Sequence, residues 1–401
     1  IWPATTNSSR TGDTVVSCDG MVGSRQQHDA ALPPGTTGVI RIDLDQLAAN
    51  WRVLAALGRP AECAAVVKAD AYGLGAIRCV PALATAGCAT FFVARLGEAI
   101  EVRALAPDAV IYVLDGLLPG AEQEYSRIRA RPVLSSLEEV QALAAFGRAT
   151  GTRPAAALHV CSGLNRLGLP KADVLSLSQE PGLWAQIDLQ LIMSHLASAD
   201  AADDPKNAQQ LETFQLLRSK LPVTPASLAA SDGMMLGPAF YCDLTRPGYA
   251  IYGGQPSGSQ RTPVEPVVTV HARVLQVRDV AVGASVGYSG IWTAARPSRI
   301  AIIAAGYADG IPRSGSASNG CENGAVAFGG ILSPVVGRIS MDLITVDVTD
   351  LEPGSCQSGD WAELIGPTIT LEEAGRRAGT IGYEILTRLG PRFQRIYVGG
   401  G

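Results

Sequence analysis

Lysine is scarce in this sequence, and the scarcity limits what the protein can bind. Only Lys68, Lys171, Lys206 and Lys220 occur in 401 residues, while arginine supplies the other 28 of the 32 basic side chains. The formal net charge is -5, and no lysine-rich or arginine-rich segment is present to neutralise phosphates, so no nucleic-acid partner is expected. No apolar run approaches the roughly 18 residues that cross a bilayer, so no membrane partner is expected either. Small-molecule chemistry, in the cytoplasm, is the leading class.

Two further signatures are missing. The eight cysteines include no CxxC pair and no histidine at metal-ligand spacing, which disfavours a disulfide framework and leaves no metal expected. The first 37 residues lack periodicity and the apolar core of a signal peptide. We therefore expect a disordered extension over residues 1–37.

What is present is an alternation of strands and helices. Between residues 38 and 255, eight short apolar segments, from GVIRIDL (38–44) to PASLAAS (225–231), alternate with amphipathic stretches. A glycine-rich dinucleotide fingerprint does not follow the first strand, so the pattern favours a TIM-like (β/α)8 barrel over a doubly wound sheet. After about residue 262 the chain reads as strands broken by Gly, Pro and Asp turns. The predicted architecture is an α/β barrel over 38–262 and a mostly β domain over 263–401.

Lys68 lies in AAVVKADAYGLG, at the end of an apolar strand. In a parallel barrel the catalytic groups project from such strand ends. Burial beside Val66 and Val67 would lower the pKa of the amine and free it to attack a carbonyl as a Schiff-base lysine. The alternative reading is a lysine that extends to water or pairs with Asp70.

Other polar groups follow other strands. His195 ends one strand in SHLASAD, and Arg166 follows another in GLNRLG. Arg246 and Gly248 come after the last barrel strand, where barrels often bind phosphate with backbone N–H groups, and Ser231 could add its hydroxyl. Each signal is weak alone, but together with Lys68 they converge on one barrel mouth.

Eight segments of the sequence resemble those of a known family. The segments AVVKADAYGLG, GLNRLG, SHLASAD, TRPGYAIYGG, VGYSGIWTA, AAGYADGIPR, VVGRISMDLITVDV and TIGYEIL have the order and approximate spacing found in the alanine racemases, fold-type III enzymes that use pyridoxal 5′-phosphate (PLP). The resemblance covers about residues 38–399. It implies an isomerase that interconverts L- and D-alanine, supplies D-alanine for peptidoglycan and forms a homodimer with shared active sites.

The resemblance also implies which residues hold the cofactor. Lys68 would form the Schiff base with PLP. Arg246 would face the pyridine nitrogen, with His195 behind it. The remaining positions would hold the phosphate: Tyr72, Ser231, Tyr383 and the backbone of Gly248 and Tyr249.

The same resemblance implies two bases and a small amino-acid substrate. Lys68 would handle the Cα proton on the D face, and Tyr288 of the neighbouring subunit would serve the L face. Racemisation needs two such bases flanking a planar carbanion, and PLP is the electron sink. The substrate would meet four other positions: Arg166 near its carboxylate and the cofactor O3′, Met341 through its backbone N–H, and Tyr307 and Asp342 at the entrance.

One segment departs from the family pattern. Many members carry a carbamylated lysine where this chain has His159, followed by Asp and Thr where it has Cys161 and Ser162. No carbamate can form on histidine, so Arg166 must be positioned otherwise, by Asn165 or by a bound anion. A second departure is Ala230, where Asn commonly precedes the phosphate-binding serine.

Two alternatives remain open. A broad-specificity or serine racemase of the same fold is compatible with the altered segment around His159. A non-catalytic PLP-binding protein would share the lysine loop, but it has no need of the VGYSG and ISMD segments after residue 280.

Overall fold

The computed structural model describes residues 32–255, 262–321 and 323–400. These residues form two compact units, one of Gln46–Glu265 and the other of the described residues up to Asp45 together with those from Pro266 onward. Residues 1–31 of the predicted extension lie outside the described part. In the described residues the first elements are β1 (Gly38–Asp43) and α1 (Leu44–Leu57).

The unit of Gln46–Glu265 alternates strands and helices. The strands are β2 (Glu62–Cys63), β3 (Ala65–Val66), β4 (Thr90–Val93), β5 (Val110–Val113), β6 (Ala130–Leu134), β7 (Ala155–His159), β8 (Asp188–Met193), β9 (Ala226–Ser227) and β10 (Leu244–Thr245). The helices are α2 (Lys68–Tyr72), α3 (Ala76–Thr85), α4 (Leu96–Leu105), α5 (Glu122–Ile128), α6 (Leu137–Thr150), α7 (Lys171–Ser178), α8 (Pro205–Arg218) and α9 (Ser231–Met235), with 3-10 turns at Pro238–Phe240 and Tyr249–Tyr252.

The parallel strands close into a barrel. β3 to β9 form one sheet in chain order, and β10 pairs in parallel with β2. The gap between β9 and β10 is bridged by backbone bonds from Asp243 N to Ala226 O and from Arg246 N to Ala229 O, both 2.9 Å. β2 and β3 are the two halves of the first barrel strand, so β2 to β10 make eight strands in all. The predicted barrel is confirmed.

The strands are apolar because both of their faces are covered. Phe91, Phe92 and Val93 of β4 are fully buried, as are Val133 and Leu134 of β6. Such continuous apolar runs are typical of parallel strands between a barrel core and surrounding helices.

Local chemistry sets the ends of the outer helices. Ser136 caps α6 by accepting the Glu139 N–H at 3.2 Å, and Gly151 ends that helix at φ +66°. Asp204 caps α8 by accepting the Lys206 N–H at 2.9 Å, and Pro205 occupies its first turn.

The second unit is mostly β, as predicted. Its remaining strands are β11 (Val268–Val280), β12 (Ser285–Val286), β13 (Trp292–Thr293), β14 (Ser298–Ile303), β15 (Ala325–Phe328), β16 (Ile331–Pro334), β17 (Ile344–Asp347), β18 (Trp361–Ile365) and β19 (Gln394–Val398). Its remaining helices are α10 (Leu371–Arg377) and α11 (Gly382–Thr387), with 3-10 turns at Tyr288–Gly290, Tyr307–Asp309 and Arg313–Gly315.

One predicted strand lies in the other unit. β1, which the sequence pattern places first in the barrel, pairs antiparallel with β11 and parallel with β19 in the sheet of the β unit. The barrel takes its eighth strand from β10 instead, a two-residue segment too short to show periodicity. The expectation that 38–44 belongs to the barrel is therefore wrong, although the fold class is right.

Among the residues described here, no helix has the length and hydropathy needed to cross a membrane.

Candidate active site

Lys68 lies two residues after β3, at the carboxyl end of the first barrel strand. Its side chain is half-buried. Burial lowers the pKa of its amine from the ordinary value, and the positive charge of Arg166 lowers it further, against an opposing effect of Glu98. A larger fraction of the amine is therefore neutral and nucleophilic than for a lysine in water.

The residues after Lys68 form a left-handed turn. Ala69, Asp70, Ala71 and Tyr72 have φ values of +54°, +56°, +53° and +56°. L-residues avoid this region because Cβ approaches the following carbonyl, at a cost of roughly 1–2 kcal/mol per residue in a left-handed helix. Four such residues in succession make the segment beside Lys68 strained.

The turn brings Tyr72 into the barrel. Its ring is buried and lies 4.7 Å from the Tyr252 ring, centroid to centroid. A Cβ added to Gly248 would lie 2.2 Å from the Tyr72 hydroxyl, so only glycine permits this approach. Burial raises the pKa of Tyr72, which keeps its hydroxyl protonated as a donor. Tyr252, which the sequence analysis missed, donates its hydroxyl to Val66 O at 3.0 Å and supports the end of the lysine strand.

Ser231, Gly248 and the Tyr249–Tyr252 turn form an anion cradle. Ser231 begins α9, and its Oγ accepts the N–H groups of Gly248 at 3.0 Å and Ala250 at 3.2 Å. Two backbone donors thus converge on one hydroxyl, beside the Tyr72 hydroxyl. Converging N–H groups of this kind suit a phosphate.

We expect Ser231→Ala to weaken phosphate binding. The substitution removes a hydroxyl from the cradle and leaves two buried N–H groups without their acceptor. A hydrogen bond to a charged group contributes about 1.5–3 kcal/mol, so the dissociation constant of PLP should rise about tenfold or more. Titrating PLP into the cofactor-free protein measures this, with Ser176→Ala on the exposed surface of α7 as the control. Equal affinities in both variants would contradict the role of the cradle.

Arg246 holds a buried positive charge at the barrel mouth. Its side chain is 4% exposed and donates to Ser227 Oγ at 2.8 Å, Ser194 O at 2.6 Å and Leu228 O at 3.2 Å. These partners are neutral oxygens, and burial lowers the pKa of the guanidinium to about 10. Because Arg does not readily give up its proton, a ring nitrogen facing it would stay unprotonated.

His159 is buried, His195 is half-buried, and both are neutral. Burial, followed by the charges of Arg246 and Arg166, lowers the pKa of His195 to about 3 and that of His159 to about 4. Both imidazoles therefore add hydrogen-bonding capacity beside Arg246 without adding charge.

Because of these two histidines, we expect the free energy of unfolding to fall in mild acid. An unfolded histidine titrates near pH 6.5, so below that pH the unfolded chain takes up protons that the native state refuses. The free energy of unfolding should fall by up to about 1.4 kcal/mol per pH unit per histidine, from pH 6.5 down towards pH 4 for His159. Urea unfolding between pH 7.5 and 4.5 should show a shallower slope for His159→Gln than for the wild type. Parallel slopes would contradict the assignment.

The loop before Arg166 is held by contacts of its own side chains. The residue before it, Asn165, has φ +56° and exchanges two contacts of 3.3 Å with Cys161: the Asn165 N–H donates to Sγ, and the thiol donates to Oδ1. In the same loop, Ser162 Oγ lies 2.8 Å from Ser194 Oγ. Asn165, which the sequence analysis proposed as the anchor of Arg166, is thus itself held by Cys161, and its effect on Arg166 stays a prediction.

The barrel thus brings together eight of the predicted residues: Lys68, Tyr72, Arg166, His195, Ser231, Arg246, Gly248 and Tyr249. Sequence reasoning missed Ser194 and Ser227, which hold Arg246. Their position at the ends of β8 and β9 is the sequence feature that could have identified them.

The other predicted residues belong to the β unit. Tyr288 is 70% exposed in a 3-10 turn that follows Gly287 at φ +77°. Tyr383 lies in the first turn of α11, with its carbonyl accepting the Thr387 hydroxyl at 2.9 Å. Their roles stay predictions.

Tyr307, Met341 and Asp342 lie on two adjoining segments of this unit. The Tyr307 N–H donates to Ser340 O, and the Ala308 N–H donates to Met341 O, both at 3.0 Å. Arg392 joins the segments by pairing with Asp342 at 2.7 Å and with the buried Asp309 at 2.9 Å. The side chains of Tyr307 and Met341 remain largely exposed.

Comparison with known proteins decides the family. Residues 42–256 match the N-terminal domain of alanine racemase, and residues 267–397 match the C-terminal domain. The chain belongs to the alanine racemase family. The resemblance read from the sequence segments is thereby confirmed, as is the expected enzyme class.

Relatives at high coverage agree. The alanine racemase of Methylobacterium nodulans is 48% identical over 361 residues, covering 90% of this chain and 96% of the relative. The enzyme of Methylobacterium sp. strain 4-46 is 50% identical over 359 residues, covering 90% and 97%. The crystal structure of alanine racemase from Bartonella henselae, which has covalently bound pyridoxal phosphate, matches with a TM-score of 0.86 at 42% identity, covering 90% of this chain and 99% of that one.

Proposed function

We propose that this member of the alanine racemase family interconverts L- and D-alanine by a two-base mechanism with PLP. The observation that carries the proposal is the placement of a lysine with a lowered pKa beside an anion cradle, both at the carboxyl end of one barrel. The two features match the two ends of PLP, which carries an aldehyde and a phosphate.

The residues fit this cofactor. The Lys68 amine would take the aldehyde carbon, and Ser231, Tyr72 and the backbone of Gly248 would hold the phosphate. Arg246, anchored by neutral oxygens, would face the ring nitrogen. The prediction of PLP is confirmed by the family match and by the bound PLP of the Bartonella relative. When bound, PLP withdraws electrons from the substrate Cα and so acidifies its proton.

The chain's own groups would move the protons. The Lys68 amine would remove or return the Cα proton on the D face, and the Tyr288 hydroxyl would do so on the L face. The exposure of Tyr288 supports a role outside its own unit. We therefore propose that the neighbouring subunit of a homodimer supplies this tyrosine.

Substrate contacts complete the proposal. Arg166 and the Met341 N–H would bind the carboxylate of a small amino acid, and Tyr307 and Asp342 would line its entrance. The Arg392 ion pairs support Asp342 in a fixed position. The product D-alanine would supply peptidoglycan, and a cytoplasmic location stays a prediction.

A substrate panel tests the function. Purified protein loaded with PLP should convert L-alanine to D-alanine, with kcat/KM at least about tenfold above the values for L-serine, L-lysine and L-arginine, equivalent to about 1.4 kcal/mol in the transition state. Comparable turnover of all four would instead identify a broad-specificity racemase. Absence of turnover with PLP bound would identify a binding protein.

A further inference from the structure

The strained turn after Lys68 needs external restraint. Four successive residues in the left-handed region persist only where the surroundings over-determine them. Part of the restraint is local: Asp70 Oδ1 accepts the Ala76 N–H at 2.7 Å, and the Gly73 N–H donates to Ala69 O at 2.8 Å. These bonds tie the turn to itself and to α3, but they do not fix it against the rest of the barrel mouth.

Glu98 supplies a bond from the neighbouring barrel segment. Its Oε1 accepts the Ala69 N–H at 2.7 Å, directly beside Lys68. Its Oε2 accepts the N–H groups of Ala94 at 2.7 Å and Arg95 at 3.1 Å, at the end of β4. One carboxylate thus joins the lysine turn to the next strand through charge-assisted bonds, which are about twice as strong as neutral ones.

The same arrangement recurs two strands further on. Glu139, in the first turn of α6, accepts the Ser135 N–H at the end of β6 and the Leu117 N–H, at 3.3 Å, in the loop after β5. Each carboxylate therefore clamps the end of its own strand to the preceding loop. The two clamps differ in the loop that they hold. The loop held by Glu98 contains Lys68, whereas the loop held by Glu139 contains Leu117.

Charge adds a second effect at Glu98. The groups that face the Lys68 amine are Arg166 and Arg246, which lower its pKa, and Glu98 and Asp115, which raise it. Asp115, after β5, lies 3.9 Å from Arg95 and has no hydrogen bond to the lysine turn among the described contacts. Removing Asp115 would therefore change the charge without breaking the clamp.

We propose that Glu98 is a positioning residue for Lys68: its carboxylate oxygens join the left-handed turn to the end of β4, so that the amine points to the cofactor aldehyde. The proposal rests on the proposed role of Lys68 as the PLP lysine. The carboxylate itself need touch neither substrate nor cofactor.

Three matched variants distinguish the effect of the Glu98 hydrogen bonds from the effect of its charge. Glu98→Gln removes the charge and replaces one acceptor oxygen by an amide donor, Asp115→Asn removes charge alone, and Glu139→Gln breaks the equivalent clamp away from Lys68. In cofactor-free protein, acetic anhydride labels neutral amines, and mass spectrometry compares Lys68 with Lys171, Lys206 and Lys220 across pH. PLP titration then gives the dissociation constant.

We expect two separable responses. Lys68 should label about threefold faster or more at pH 7 in Glu98→Gln and Asp115→Asn, because each loses a carboxylate that favours the charged amine. PLP affinity should fall about tenfold in Glu98→Gln only, and stay within about twofold in the other two. In Glu139→Gln, labelling of Lys68 should be unchanged while the unfolding midpoint falls.

Affinity and labelling in Glu98→Gln equal to those of Glu139→Gln would overturn the proposal, because the clamp would then be only structural. If Glu98→Gln does not fold, Glu98→Asp keeps the charge on a shorter arm, and it should lose PLP affinity without faster labelling. Labelling does not require turnover, so a failure of alanine racemisation would remain distinguishable from a failure of Glu98.

Discussion

Lys68→Ala should abolish racemisation and the visible absorption band of PLP bound to lysine. The substitution removes the covalent attachment point and one of the two bases, and loss of a general base alone costs roughly 10²–10⁴-fold in rate. The cradle around Ser231 is untouched, so weak phosphate binding should survive. Absorption spectra and polarimetry of L-alanine measure the two effects.

The control for this variant lies on the surface. Lys171→Ala, in the exposed first turn of α7, should retain both the band and the activity. A wild-type protein that shows no visible band when saturated with PLP, or a Lys68→Ala variant that racemises at the wild-type rate, would exclude Lys68 as the PLP lysine.

Tyr288→Phe should separate cofactor binding from racemisation. The change removes one hydroxyl from an exposed ring, so the barrel and its PLP should be unaffected. Racemisation should fall by roughly 10²–10⁴-fold in both directions, because each direction needs a base on both faces. The Cα proton of D-alanine should still exchange with deuterium from the solvent, because Lys68 serves that face. NMR in D₂O measures exchange and racemisation in one sample.

Tyr307→Phe is the matched control. It also removes a tyrosine hydroxyl from the β unit, at a position assigned to the entrance rather than to proton transfer. We expect a change mainly in KM. Racemisation by Tyr288→Phe at the wild-type rate would refute the two-base assignment.

The sequence predicts the site residues better than the contacts that hold them in place. Lys68, His195, Arg166 and Arg246 could be placed because chain order alone puts the ends of parallel strands at one barrel mouth. The turn after Lys68 could not be foreseen. None of Ala69, Asp70 and Ala71 is a glycine, so the sequence does not indicate positive φ. Local bonds and the contact with Glu98 in the folded barrel hold them there.

For the fold, likewise, the sequence predicts the strands better than their pairing. Strand periodicity identifies apolar segments, but it does not tell which sheet each one joins. β1 has the apolar pattern expected of a barrel strand, yet its partners are β11 and β19. β10, of two residues, closes the barrel through backbone bonds that no side-chain pattern records. Long-range pairing therefore decided both assignments.

The position of β1 has a consequence for synthesis of the protein. This strand leaves the ribosome before both of its partners, which begin only at Val268 and Gln394. The barrel residues between them can pair as they emerge, whereas β1 keeps both hydrogen-bonding edges open until β11 emerges, and one edge open until β19 emerges. A nascent chain released before Gln394 would keep one of those edges exposed, so premature termination should yield an aggregation-prone product even when the barrel is complete.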